Sequence, residues 1–210
     1  MSEPVTGAKQ AADSARPVPK RERVARVLTE VLAPSVTGVV CPVAVGALSD
    51  TNPWRGARLG LLGAVFAIGL PYAYIAWLIR TGGATDRHVS RREDRPKVLA
   101  AVLVCLAGGI AVLALLGAPV LLVWLLAGEV LLVLICLAIS RAWKISMHAA
   151  VAAGTAAALV VVLGPWALLA GLAVVAVCWA RVVLGDHTTG QVSAGALLGA
   201  AVLSLIALSP

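Results

Sequence analysis

The sequence predicts an all-α fold: a polytopic membrane helix bundle with six or seven transmembrane helices. Two observations carry this. Of 210 residues, 60% are hydrophobic and only 13% charged, more apolar surface than a water-soluble domain of this size can hide. The charges also gather at the N-terminus and in a few short breaks between apolar runs of about 20 residues, the length a spanning helix needs.

Residues 1–27 are polar, carry Pro4, Pro17 and Pro19, and finish on Lys20, Arg21, Arg23 and Arg26. That composition predicts a disordered basic tail running into a juxtamembrane anchor. Its basic part lies too far in for a signal peptide, and no small-residue cleavage pattern follows. Residues 28–210 form the transmembrane domain. Its first apolar segment, Leu28 to Leu48, is interrupted by Pro34 and Pro42 and either spans or re-enters. The second, Leu59 to Ile79, contains Pro71 and is expected to kink there. Val98 to Leu116 and Val120 to Ile139 form a hairpin turning at Gly117-Ala118-Pro119. His148 to Leu163 and Trp166 to Val183 form another, turning at Gly164-Pro165, and Val192 to Leu208 closes the chain.

The two hairpin turns are short and uncharged, whereas the loops between hairpins are polar. Parity therefore brings three clusters to one side of the membrane: Asp86 to Lys97, Lys144 to His148, and Arg181 to Gln191. With every segment spanning, Arg55 and Arg58 face the other side and the remaining 15 of 17 Lys and Arg face the clusters. The positive-inside rule then assigns the cluster face to the cytoplasm. The net charge of +7 fits this topology and anionic headgroups. No interleaving of basic and aromatic residues suggests nucleic acid.

Other features have simpler explanations. Cys41, Cys105, Cys136 and Cys178 lie inside apolar runs without paired spacing, so they read as small core residues, not a disulfide framework or a zinc site. Gly154, Ala158, Gly195 and Gly199 recur at four-residue spacing and read as close helix packing. Glu129 is an isolated acid midway along a span, where an ionisable residue is a functional candidate by default and a protonated, hydrogen-bonded acid is the plainer alternative.

All three histidines, His88, His148 and His187, fall at the predicted rim. The order Arg95-Pro96, then Ser146-x-His148, then Arg181-x5-His187 resembles the type 2 phosphatidic acid phosphatase superfamily, the lipid phosphatases related in fold to vanadium haloperoxidases. That family's patterns are K-x6-R-P, P-S-G-H and S-R-x5-H-x3-D, and the resemblance runs from about residue 80 to the C-terminus. This chain departs from them at His88, which stands where the lysine belongs, at Met147 in place of the glycine, at Ala180 in place of the serine, and at Gln191 in place of the final aspartate.

The resemblance implies a membrane phosphatase that hydrolyses a lipid phosphate or isoprenoid diphosphate without metal or other cofactor. His187 would attack phosphorus and carry a transient phosphohistidine, and His148 would protonate the leaving group. Arg95 and Arg181 would grip the phosphate oxygens, helped by Ser146, Lys144, Arg92 and His88, with Arg87, Arg91, Arg92 or Lys144 standing in for the missing lysine. Gln191 would orient His187 by accepting from its Nδ1–H, though without the charge that stabilises an imidazolium, so a slower nucleophile is expected. Two other readings use the same residues: a transferase or cyclase that ionises a prenyl diphosphate, and a non-catalytic lipid-binding relative. The sequence sets no oligomeric state.

Overall fold

The computed structural model describes residues 19–82 and 95–207, with backbone alone for 95–99 and 206–207. No strand occurs among the described residues, and the order is α1 (Lys20–Val31), α2 (Pro34–Ser49), α3 (Pro53–Ala64), a π-helical turn (Val65–Gly69), α4 (Leu70–Arg80), α5 (Arg95–Leu115), α6 (Val120–Ser140), α7 (Met147–Leu163), a 3-10 turn (Gly164–Leu169), α8 (Ala170–Val183) and α9 (Thr189–Ala207). Helix α1 lies partly within the stretch expected to be tail. Pro19 opens it, good helix formers follow, and it docks on α8 with the Arg21 guanidinium 5.9 Å from the Trp179 ring centre.

The prolines act where the sequence places them, but not always as simple kinks. Pro34 occupies the first turn of α2, where its missing N–H is harmless, and the chain bends by 42° between α1 and α2. Near Pro71 the expected kink takes the form of the π-turn, in which Leu70 N–H reaches back to the Val65 carbonyl. Widening the ladder by one residue ahead of the proline accommodates its ring and its missing donor. Helix α3 starts earlier than hydropathy suggests, because Asn52 caps it by accepting from Trp54 N (3.1 Å) and Arg55 N (3.2 Å). Gly117 and Gly164, at φ +63° and +67°, supply the left-handed residues on which both hairpins turn.

Three described stretches are long and apolar enough to cross a bilayer: Pro53–Arg80, Val120–Ser140 and Met147–Val183, and the bent pair α1–α2 makes a fourth if it counts as one span. Ala100–Leu115 and Thr189–Leu205 are shorter apolar helices. Met147–Val183 doubles back at Gly164, because Lys144 Nζ, just before it, lies 2.6 Å from the Asp186 carbonyl just after it. All six tryptophans sit within about a turn of a helix end, at positions 54, 77, 124, 143, 166 and 179, as in the aromatic belts of membrane proteins.

Small residues let the bundle close. Glycines in α9 lie directly on α7 backbone: a Cβ on Gly195 would come 2.5 Å from the Ser146 carbonyl oxygen, and one on Gly199 would collide with that of Ala150. Gly154 packs beneath Leu203 in the same interface. Gly46, Gly56 and Gly60 do the same between α2 and α3. Val45, Leu113, Leu122, Leu126 and Cys136 are fully buried at the centre. At the end far from the histidines, Arg55 donates to the carbonyls of Leu116 (2.8 Å) and Gly117 (2.9 Å), tying α3 to the α5–α6 turn. Asp50 pairs with Arg55, and its carboxyl is held below the ordinary value first by the Asn52 backbone N–H and also by Arg55.

Candidate active site at the bundle rim

The loop that carries His187 is built from two helix ends joined back to back. Helix α8 stops in a Schellman turn: Asp186 N donates to the Arg181 carbonyl (3.1 Å), Gly185 N to that of Val182 (3.0 Å), and Gly185 takes φ +70°. Two residues on, α9 opens with a capping box. Gln191 N donates to Thr188 Oγ1 (3.4 Å), and Thr188 N donates back to Gln191 Oε1 (3.1 Å). The five-residue spacing between Arg181 and His187 is thus the length of one helix stop, and His187 N itself reaches the Arg181 carbonyl at 3.3 Å. Thr188 escaped the sequence reading, although Thr188-x-x-Gln191 ahead of an apolar run is a readable capping signal.

This geometry sets the chemistry of the imidazole. Gln191 Oε1 lies 3.2 Å from His187 Nδ1. The Thr188 N–H requires an acceptor, so the oxygen of the Gln191 amide faces this way, and the bond to His187 then requires a proton on Nδ1. The neutral ring therefore keeps its lone pair on Nε2. His187 is half-buried, and this desolvation is the main cause of a pKa below the ordinary 6.5. Arg181 and Lys144 lower it further, while the Gln191 hydrogen bond and Asp186 oppose the shift.

Arg181 is held by Asp186, its Nη1 lying 3.0 Å from Oδ2. Its Nε is buried without a hydrogen-bond partner among the described residues. Lys144 is exposed and reaches the Asp186 carbonyl. Asp186 thus faces the arginine, not the histidine. Among the described residues, two cations and one imidazole meet around a single acid, which leaves this corner net positive.

The α7 start joins the same corner, since Ser146 N donates to the Gln191 carbonyl (3.3 Å). Ser146 itself is fully buried and its Oγ accepts from Ala149 N (3.4 Å), so the hydroxyl caps α7 instead of lying open as a phosphate ligand. The first turn of α7 carries His148, which is half-buried. Arg95 opens α5 at this same end of the bundle, and its side chain lies outside the described residues, as do His88 and Arg92 altogether. The structure thus ties Lys144 and Ser146 to the loop that carries Arg181, His187 and Gln191, with His148 two residues beyond Ser146. Among the described residues, no cluster of His, Cys, Asp and Glu could hold a metal ion. Comparison of the chain with protein-family models, with curated proteins and with solved structures found no match.

Proposed function

We propose that this protein is a divergent member of the type 2 phosphatidic acid phosphatase superfamily that hydrolyses a lipid phosphate or isoprenoid diphosphate at the rim of its bundle. The observation that supports it most is the orientation of His187. Thr188 fixes Gln191, Gln191 holds Nδ1–H, and the nucleophilic lone pair is left on Nε2 beside Arg181 and Lys144.

In this reading Nε2 attacks phosphorus in line, the bond to the leaving oxygen breaks, and His148 gives its proton to that oxygen. The leaving oxygen is the lipid alkoxide of a phosphate, or the bridging oxygen of a diphosphate, which departs as the prenyl monophosphate. Water then cleaves the phosphohistidine, with His148 taking a proton from it. Arg181, together with Lys144 and Arg95, spreads the charge of the equatorial oxygens, and the positive end of α9 adds to their field. The catalytic machinery is metal-free in this scheme. The chain crosses the cytoplasmic membrane six times, or seven when the bent α1–α2 pair is counted as one crossing. The substrate head meets the cations from the cytoplasmic side while its tail stays among the helices.

The test is phosphate release by purified protein in mixed micelles, from phosphatidate, phosphatidylglycerol phosphate and short and long isoprenyl diphosphates. Release that persists in EDTA and disappears in His187→Ala supports the reading. Pyrophosphate with a cyclised or transferred prenyl product would instead identify a transferase or cyclase, and binding without turnover a non-catalytic relative.

A further inference from the structure

A cavity of about 440 Å³ opens between α2, the π-turn, α5, α6, α7 and α9, within the roughly 300–1,000 Å³ of small-molecule pockets. Its wall is apolar except at one place, where Glu129, Thr155 and Cys41 meet. Glu129 and Thr155 both lie close enough to the Cys41 thiol to act on it electrostatically, and Glu129 has no hydrogen bond or ion pair among the described residues. A carboxyl group facing a cavity without a partner is costly in an apolar medium, by about 1–3 kcal/mol on protein mutational scales. Something that enters the cavity can remove that cost. A second cavity, of about 570 Å³ between α7, α8 and α9, has Ser204 as its one hydroxyl-bearing wall residue and no acid.

The position of the first cavity says what enters. Met147, adjacent to Ser146 and His148, lines one end. From there Met147, Val151 and Thr155 descend one face of α7 while Leu137, Val133 and Glu129 descend α6. Eight residues separate Met147 from Thr155 and Leu137 from Glu129, which places the polar trio about 12 Å below the rim at about 1.5 Å per residue. The cavity also runs past the Pro34 break and the π-turn at Ala67 and Ile68, the latter a kind of feature often found at functional sites. It is thus a slot leading from the phosphate corner into the membrane, with one hydrogen-bonding station part-way down.

We propose that this slot holds the tail of the substrate lipid and that Glu129, supported by Thr155, recognises a single oxygen function, a hydroxyl, on that tail. This rests on the phosphatase reading and narrows it: the preferred substrate is a lipid phosphate whose chain is hydroxylated at mid-depth. A purely hydrocarbon tail leaves the carboxyl unpartnered and binds more weakly.

The experiment uses the full-length protein in micelles and a positional series of hexadecyl phosphates, each with one hydroxyl moved along the chain, beside the unsubstituted compound. Affinity is read by displacement of a fluorescent alkyl phosphate, and phosphate release is recorded in the same samples. One hydroxyl position should bind about tenfold more tightly than hexadecyl phosphate, the size of one good hydrogen bond. Glu129→Leu should erase that preference and tighten the binding of hexadecyl phosphate, since no carboxyl is left unpartnered against its chain, and Glu129→Gln should retain part of the preference. Equal affinity across the series in the unaltered protein, or a preference surviving in both variants, would overturn the proposal. A positional preference without phosphate release would leave the tail site standing and remove the hydrolytic reading; release without preference would do the reverse.

Discussion

His187 is controlled by neighbours that are themselves fixed by backbone. Gln191 cannot rotate away without breaking the capping box of α9, so the ring's orientation and the helix start are one structure. Gln191→Ala should therefore lower kcat/KM by about 10–100-fold with a smaller change in KM, as the loss of an orienting group does. Gln191→Asp should raise kcat, because a carboxylate stabilises the developing imidazolium that an amide only orients. Steady-state phosphate release on each variant checks both. The pH profile follows from the depressed pKa of His187, whose first cause is desolvation. A lowered pKa keeps the ring neutral to more acid pH, so the acidic limb of kcat/KM should lie below 6.5. Removing a cation that holds the pKa down should move that limb upward, so Lys144→Met shifts it toward higher pH; a limb that stays in place would detach Lys144 from the site.

Among the elements, the α7–α9 contact positions the site most directly, since it brings Ser146 against Gln191 and Gly195. Gly199→Val, aimed at the Ala150 carbonyl, should force the helices apart and destabilise the protein by about 1–3 kcal/mol, with activity falling alongside. Ser146→Ala removes the α7 cap and should cost about 1 kcal/mol, read as a lower midpoint of thermal unfolding in detergent. These same elements show what the sequence could reveal. Four-residue spacing of small residues correctly marked the Gly154, Gly195 and Gly199 interface, because glycine and alanine have little role in a lipid-facing helix beyond close approach. The Gly46–Gly56 contact carries the same signal in α3, where Gly56, Gly60 and Ala64 recur every four residues, and the sequence reading overlooked it. Hydropathy missed the starts of α1 and α3 because caps and polar helix formers, not apolar residues, begin those helices.

For the molecule as a whole, two ends are chemically distinct. One carries Lys144, Arg181 and His187; the other is closed by Arg55 over the α5–α6 turn. Alternation of apolar runs and polar breaks singled out the Lys144 and Asp186 segments, which the structure joins at one end. It could not show that Asp186 faces Arg181 or that Ser146 is buried, because those depend on how two helix ends interlock. The proposed orientation makes a direct prediction. In a protein freed of its native cysteines, Arg58→Cys should react with an impermeant maleimide on intact cells, and Arg141→Cys only after permeabilisation. Both positions are exposed. Labelling of both from one side would contradict the two-ended arrangement, and the reverse pattern would invert the orientation.

The most direct test of the central claim is release of inorganic phosphate from lipid phosphates by the purified protein, with and without EDTA, beside His187→Ala. The account predicts EDTA-resistant release that falls by at least about a thousandfold in the variant, as loss of a covalent nucleophile requires. Release that His187→Ala leaves intact, or no release from any lipid on the panel, would contradict it.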